Sequence, residues 1–401
     1  MVSATARPYI DASVPVLREH GLAITQAFYR NMFAAHPELT NLFNMGNQAS
    51  GIQQQSLATA VFAYAANIDN AAALAPVISR IVHKHASVGI KAEHYPIVGR
   101  YLLGAIAQVL GDAASPALIA AWDEAYTELA AALIGAEQLL YERSGTQPGQ
   151  LMEMRVSALR EEGEDIKSFV LETVDGQPAP AFAPGQYVSV AVSFDDGSTQ
   201  LRQYSLSDAP NQHSLRISVK RESDLGGKPA GQVSNWLHQH VVAGSIIKVS
   251  HPFGDFTADV QSTAPIVLLS AGVGITPMIS ALNRIASVHP QRHVTFAHAA
   301  RARSHHAHRA DVAAARAVMP NLVVASFHET LAPEDADDAL THAGMMDIAR
   351  LPAWNYEDAE VYLCGPVGFM QDQWRNLLAA GVPEKRLHRE VFGPELLNYV
   401  S

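Results

Sequence analysis

His85 lies in PVISRIVHKHASVGI, where Val77, Ile81 and His85 recur at i, i+4 and i+8 with Ile78 and Val82 flanking. That spacing predicts one helical face, with His85 pointing into a core and His83 turned away. A buried neutral imidazole can give one nitrogen to a haem iron while its other N–H is held by a partner that sets the tautomer. The same pattern also suits a satisfied core histidine. Glu137 follows Trp122, Tyr126, Leu129 and Leu133 on a second stripe, where an apolar residue is expected. A carboxylate there either needs a partner, for which His85 is a candidate, or marks an exposed helix end. Tyr29 shares a face with Phe33 in FYRNMF, Gln53 shares one with Leu57 and Val61, and Phe43 falls in the turn after His36 and Pro37. Tyr29 and Gln53, polar on apolar stripes, suit hydrogen bonding to a bound diatomic, or a place on the rim.

A second group reads as nucleotide chemistry. In RQYSLS, Arg202 can neutralise a pyrophosphate, Tyr204 can stack on a flat ring system, and Ser205 can hydrogen-bond its edge, with Gln203 between them. PGQY, ending at Tyr187, precedes this stretch. GQVSNWL follows it, carrying Gly231, Val233 and Ser234. SAGVGITPM contains Ala271, Gly272, Val273, Gly274, Ile275 and Thr276 at a strand-to-helix turn, where a helix N-terminus can face an anion. Pro277 replaces the last glycine of the usual dinucleotide fingerprint. CGPVGFM repeats the arrangement with Cys364, Gly365 and Pro366. Cys364 lacks a basic neighbour to lower its pKa, so packing suits it better than nucleophilic attack. Arg301 and Arg303, after the strand-like VTFAHAA, could accept a 2′-phosphate or form an ordinary basic loop, which leaves NADH against NADPH open.

The elements needed to position these residues change twice along the chain. Residues 1 to about 142 repeat apolar positions every three or four residues and are expected to be all helix. SGTQPGQ, within 143 to 150, reads as a linker. From 151 to 261 period-2 runs such as Val188, Val190, Val192 and Leu215, Ile217, Val219 predict an antiparallel β-barrel or sandwich. From 262 to 401 short apolar runs alternate with helix-like stretches, as in a doubly wound α/β parallel sheet. A chain of 401 residues has room for this multidomain plan. No apolar run approaches the roughly 18 residues of a membrane span. The N-terminus fits neither a secretory nor a transit signal, so a cytoplasmic location is expected. Cys364 is the single cysteine, which excludes an internal disulfide, and a net charge of −11 disfavours nucleic acid and anionic lipid as partners.

Taken in order, Tyr29, Phe43, Gln53, Leu57, His85, Tyr95 and Glu137, with FNMGNQ and HYPIVG, resemble the haem pocket of flavohaemoglobins. PGQY, RQYS and GQVSN resemble the FAD-binding barrel of the ferredoxin-NADP reductase superfamily. The two glycine turns resemble its nicotinamide-nucleotide domain. REVFGP, with Glu390, Val391, Phe392, Gly393 and Pro394, resembles the C-terminus of the same family. The resemblance implies an all-α globin with haem b, then an FAD domain, then an NAD(P) domain. It makes His85 the iron ligand, with Tyr95 and Glu137 completing a proximal triad. Tyr29 and Gln53 would hold bound oxygen, and Phe43 would wedge the porphyrin. Gly231 would admit the flavin phosphates, Cys364 would lie beside the nicotinamide, and Phe392 would cover the flavin. Lys84 and Glu390 would modulate transfer between flavin and haem. The distal histidine of oxygen-storage globins is missing, and SDLGGKPA lengthens a loop before GQVSN.

The activity so implied is that of a nitric oxide dioxygenase: NADH or NADPH reduces FAD, FAD reduces haem, and O2 and nitric oxide become nitrate. The flavin is needed because nicotinamide gives electrons in pairs and iron accepts them singly. Two alternatives stand beside it, a reductase of hydroperoxides or other electron acceptors, and an oxygen- or lipid-binding globin. The chain is expected to act as a monomer, with a lipid in the haem pocket left open.

Overall fold

The computed structural model describes residues 2–224, 229–336, 339–354 and 358–393. They form two compact units, one chiefly from residues up to Leu151, the other chiefly from Met152 onward. Pro394 and part of the SDLGGKPA segment lie outside the described residues.

The first unit is helical: α1 (Arg7–Ala35), α2 (Met45–Ala49), α3 (Ile52–Ala66), α4 (Ala71–Val88), α5 (His94–Leu110) and α6 (Pro116–Ser144). Local chemistry sets the ends. Ser115 accepts from the Leu118 N–H ahead of α6, and Asn70 accepts from the Ala73 N–H at the start of α4. Gly89 and Gly145 then close α4 and α6 in the left-handed conformation. The core gathers Ile10, Phe28, Met32, Leu102, Ile106 and Trp122. Helix α3 is different. Although mostly apolar, it buries fully only Ala65, and Leu57 and Val61 stay half-exposed.

The second unit starts with β1 (Met152–Glu161), β2 (Ile166–Thr173), β3 (Tyr187–Ser193), β4 (Thr199–Ser205), β5 (Leu215–Lys220), α7 (Gln232–His240) and β6 (Ile246–Val249). The strands make a six-stranded sheet in the order β4-β3-β6-β1-β2-β5, antiparallel where β1 meets β2 and β6 and where β2 meets β5. A bridge from Leu206, just past β4, to Ile217 of β5 links the two edge strands and curls the sheet toward a barrel. Val188, Val190, Leu215, Ile217 and Val219 are fully buried, as their alternation predicts.

The remainder is the parallel sheet: β7 (Ile266–Ala271), α8 (Ile275–Val288), β8 (Val294–Ala300), α9 (Arg309–Val318), β9 (Leu322–His328), β10 (Thr341–Ala343), β11 (Glu360–Cys364), α10 (Val367–Ala379) and β12 (Leu387–Glu390). Its order is β10-β9-β8-β7-β11-β12, so the winding reverses between β7 and β11. Ligands bind at such a switch point, at the carboxyl ends of the strands. Both glycine turns sit there. Every residue of β7 is buried, as a strand covered on both faces requires.

The antiparallel sheet meets the helices flanking the parallel sheet through polar groups. Arg216 of β5 donates to Asp311 of α9 at 3.1 Å and to the Ser207 carbonyl, while Asn283 of α8 donates to Asp208 at 2.9 Å.

Candidate functional site

His85, Tyr95 and Glu137 come from α4, α5 and α6 and converge on one carboxylate oxygen. His85 Nδ1 lies 2.8 Å and the Tyr95 hydroxyl 2.5 Å from Glu137 Oε1. A carboxylate only accepts, so Nδ1 carries the proton, and in the neutral tautomer this fixes, Nε2 is the nitrogen with the lone pair. Glu137 is 3% exposed, so its break in the apolar stripe is a buried, satisfied carboxylate and not a frayed end. Burial first, then the Glu137 carboxylate, pushes the Tyr95 phenol far above its usual range, so Tyr95 stays a donor. The Tyr126 hydroxyl donates to the Tyr95 carbonyl at 2.6 Å and Tyr141 donates to the Ile90 carbonyl at 3.2 Å, tying α5 and the end of α4 to α6.

One detail differs from expectation. Val82 and Ala86, not His85, hold the buried stripe of α4, and the His85 side chain is about one-third exposed at 32%. One step round the helix from the Val82–Ala86 line, its Nδ1 edge meets Glu137. Lys84 is exposed on the same helix.

Tyr29 is buried on α1, its ring 5.6 Å from Phe33 and 5.7 Å from Phe43, which follows a short 3-10 turn. Gln53 Nε2 donates to the Tyr29 hydroxyl at 3.5 Å. Burial raises the Tyr29 phenol to about 12, against the opposing pull of the Gln53 and Gln48 amides. Phe43, Leu57 and Val61 pack on the helical core yet remain half-exposed, as do Ile78 and Ile81. A lone-pair nitrogen, half-covered apolar helices and a polar Tyr–Gln pair are the donor set and the cradle a haem needs.

Tyr187 opens β3 and pairs with Phe253 through both backbone hydrogen bonds. Arg202, Gln203, Tyr204 and Ser205 lie on β4. Arg202 donates to the Gln200 side chain and the Leu201 carbonyl, Gln203 donates to the Ser189 hydroxyl at 2.9 Å, Tyr204 is half-buried and Ser205 is buried. Gly231, Val233 and Ser234 sit at the start of α7. A Cβ on Gly231 would press on Ser234 Oγ and Glu222 Cβ, so this glycine is needed first by its own loop. Ser234 Oγ accepts from the Glu222 N–H at 3.2 Å in the same loop.

At the switch point, Ala271 ends β7, Gly272 and Val273 turn, and Gly274, Ile275 and Thr276 enter α8, with the Thr276 hydroxyl donating to the Val273 carbonyl. A Cβ on Gly274 would collide with the carbonyl of Cys364, and one on Gly365 would crowd Phe369 and Ala271. The two turns thus touch backbone to backbone, with Pro366 exposed at the head of α10. Cys364 is wholly buried; burial, then Glu390, pushes its thiol well up, the reverse of an activated nucleophile. Glu390 and Val391 are half-buried, Phe392 is 46% exposed, and Gly393 has a positive φ. Arg301 pairs with Asp165 at 2.9 Å and Arg303 with Asp335 at 3.5 Å.

Residues 26–133 match the globin family, 153–258 the oxidoreductase FAD-binding domain and 268–374 the oxidoreductase NAD-binding domain. A flavohemoprotein of Rhizobium meliloti is 47% identical over 99% of both chains, and one of Chromobacterium violaceum is 48% identical over 98% of both. The chain belongs to the flavohemoprotein family. The crystal structure of flavohemoglobin from Malassezia yamatoensis, with bound FAD and heme, superposes with a TM-score of 0.86 at 28% identity, covering 98% of this chain and all of that one. The FAD/NAD-binding domain of nitric oxide dioxygenase from Vibrio cholerae is 36% identical, with a TM-score of 0.55 over 61% of this chain and 99% of that one.

This flavohemoprotein is therefore an oxidoreductase carrying a globin, an FAD-binding and an NAD-binding domain. Among the described residues no helix is long and apolar enough to cross a membrane. Sequence reasoning missed Tyr126 and Tyr141 as positioning residues. Tyr126 stood on the Glu137 stripe, where its polar tip was the available signal.

Proposed function

We propose that this flavohemoprotein is a nitric oxide dioxygenase that oxidises NADH to turn nitric oxide and O2 into nitrate. The observation carrying the reading is the paired geometry of the helical unit. On one side a carboxylate-held imidazole keeps its Nε2 lone pair, and the other polar pair is Tyr29 with Gln53, no histidine among them. When bound, haem supplies an iron that brings O2 and nitric oxide together, and FAD turns a hydride pair into single electrons.

The chain's own residues do the rest. His85 offers Nε2, and Glu137 with Tyr95 holds the ring and makes it more electron-rich. The Tyr29 hydroxyl and the Gln53 amide would donate to a bound diatomic, while Phe43 and Leu57 would exclude water. Tyr187, Arg202, Gln203, Tyr204, Ser205, Gly231, Val233 and Ser234 would receive FAD, with Val391, Phe392 and Gly393 as its cover. The turns 271–276 and 364–366 take the nicotinamide nucleotide. Lys84 and Glu390 tune electron passage by their charge. Arg301 and Arg303 are already matched to Asp165 and Asp335, which supports NADH over a 2′-phosphorylated nucleotide.

The test is NADH-dependent nitrate formation by haem-replete protein given nitric oxide and O2. Stoichiometric nitrate supports the reading. NADH oxidation with hydroperoxide but not with nitric oxide transfers the function to the peroxide-reducing alternative.

A further inference from the structure

Residues 145–150, between α6 and β1, are folded onto the helical unit. The Thr146 N–H donates to the Tyr141 carbonyl at 3.1 Å, and Thr146 is buried at 3% exposure. Gln150 turns back on this stretch. Its Oε1 accepts from the Thr146 hydroxyl at 3.3 Å and from the Gln147 N–H at 3.1 Å, and its own N–H donates to the Gln147 carbonyl at 3.0 Å. Pro148 locks a further dihedral and narrows those of Gln147. The turn so stiffened carries Gly149, and a Cβ on Gly89 would stand 2.5 Å from the Gly149 Cα and 2.8 Å from its nitrogen. Backbone therefore lies on backbone, with no side chain between to absorb a movement. Gly89 in turn closes α4, the helix of His85. Beside it the Ile90 N–H donates to the His85 carbonyl at 3.0 Å, and the Tyr141 hydroxyl donates to the Ile90 carbonyl at 3.2 Å. Tyr141 thus serves both sides, its carbonyl holding Thr146 and its hydroxyl holding the end of α4. Glu137, one turn earlier on α6, holds the His85 ring.

We propose that residues 145–150 buttress the iron ligand, with Gly89 and Gly149 as positioning residues. The seat of Gly89 on Gly149 keeps the bond from Ile90 to the His85 carbonyl closed, and that bond fixes where the His85 ring meets Glu137. The backbone of His85 is then held from the stretch after α6 while its ring is held from α6 itself. The inference rests on the reading of His85 as the haem ligand, and not on nitric oxide being the substrate.

The experiment is resonance Raman spectroscopy of the reduced, haem-loaded full chain, read at the iron–histidine stretch. A weaker bond from Nδ1 to Glu137 makes the imidazole a poorer electron donor, which lowers that frequency. Gly89→Asn sets a Cβ against the Gly149 backbone. Gly145→Asn sets the same residue at a second left-handed helix cap, φ +64 against φ +79, where a Cβ meets nothing within 4 Å. Asn is among the side chains that accept this conformation most readily, so the pair separates the contact from the strain. Gln150→Ala, at an exposed position, removes the acceptor for Thr146 and Gln147 and undoes the turn from its far end. Gly89→Asn and Gln150→Ala should both lower the band and speed haem transfer to apomyoglobin about tenfold, and Gly145→Asn should do neither.

A parental band in haem-loaded Gly89→Asn or in Gln150→Ala would leave residues 145–150 a mere connector and overturn the proposal. So would a shift in Gly145→Asn equal to that in Gly89→Asn, because strain at a cap and not the contact would then move the ligand. Should Gly89→Asn fail to load haem, Gln150→Ala decides alone, by a lowered band for the proposal or a parental one against it. A parent protein with no iron–histidine band would end the ligand reading and the buttress with it. Should nitrate formation fail while the bands follow the expected order, the dioxygenase reading falls and the buttress stands.

Discussion

Arg216 of β5 and Asp311 of α9 form a buried ion pair between the antiparallel sheet and a helix flanking the parallel one, with N–O 3.1 Å and side-chain exposures of 5% and 10%. Asp311 also accepts from Asn283 and lies 2.9 Å from His308 Nδ1. Hydrogen bonding from His308 and the charge of Arg216 outweigh the upward push of burial and hold the Asp311 carboxyl well below the usual range. Arg216→Ala would leave Asp311 buried without its countercharge and should cost about 3–5 kcal/mol. Urea unfolding followed by flavin fluorescence would show the loss, and a cost under about 1 kcal/mol would deny the pair its structural role.

The same depression sets a pH dependence. A folded-state pKa below the unfolded value of about 3.9 means the stabilisation is complete above that pH and is lost as pH falls further. Stability of the second unit should therefore drop below about pH 4, and Asp311→Asn should flatten this part of the curve. Circular dichroism of both proteins from pH 6 to pH 3 checks it.

Tyr29 gives the opposite sign. Its phenol is raised to about 12, so the folded chain keeps it neutral where an unfolded chain ionises near about 10. The stabilisation is whole below about pH 10 and drains as pH rises through the folded value. Tyr29→Phe should lose less stability than the parent between pH 9 and pH 11, as thermal melts at those values would reveal.

His85→Ala should abolish the Soret band while NADH still reduces the flavin. Glu137→Gln should keep haem but bind it about 10- to 100-fold more weakly, since an orienting partner is changed and not the ligand. Competition for haem against an excess of apomyoglobin would rank the variants. Retention by His85→Ala would end the ligand assignment.

Gly274→Ala places a methyl group against the Cys364 carbonyl, so the two turns must part. NADH-dependent flavin reduction should slow by tenfold or more with FAD content unchanged. Single-turnover absorbance at the flavin band is the measurement, and a parental rate would show that the turns tolerate separation.

Much of this was readable in the chain. The three textures of periodicity gave the helical, antiparallel and parallel parts, because each period follows from which faces are covered. Glu137 announced itself as a charge on an apolar stripe. Tyr95 had no such signal, since its role depends on where α5 passes Glu137, and it was reached only by family resemblance. Arg216 sits in a strand whose neighbours are all buried, so alternation could not reveal a partner on helix α9. His85 was placed one step too deep, because 3.6-residue periodicity resolves a face and not its border.

Helix α3 has a wider consequence. Its apolar residues find only part of their packing within the protein, so the porphyrin is a structural component of the globin head as well as its reactive group. Chains made when haem is scarce would carry a working flavin reductase joined to a loosened helical unit with an exposed apolar patch, the kind of surface proteases and chaperones seize. The amount of enzyme in a cell would then follow its haem supply, with no transcription factor needed to link the two.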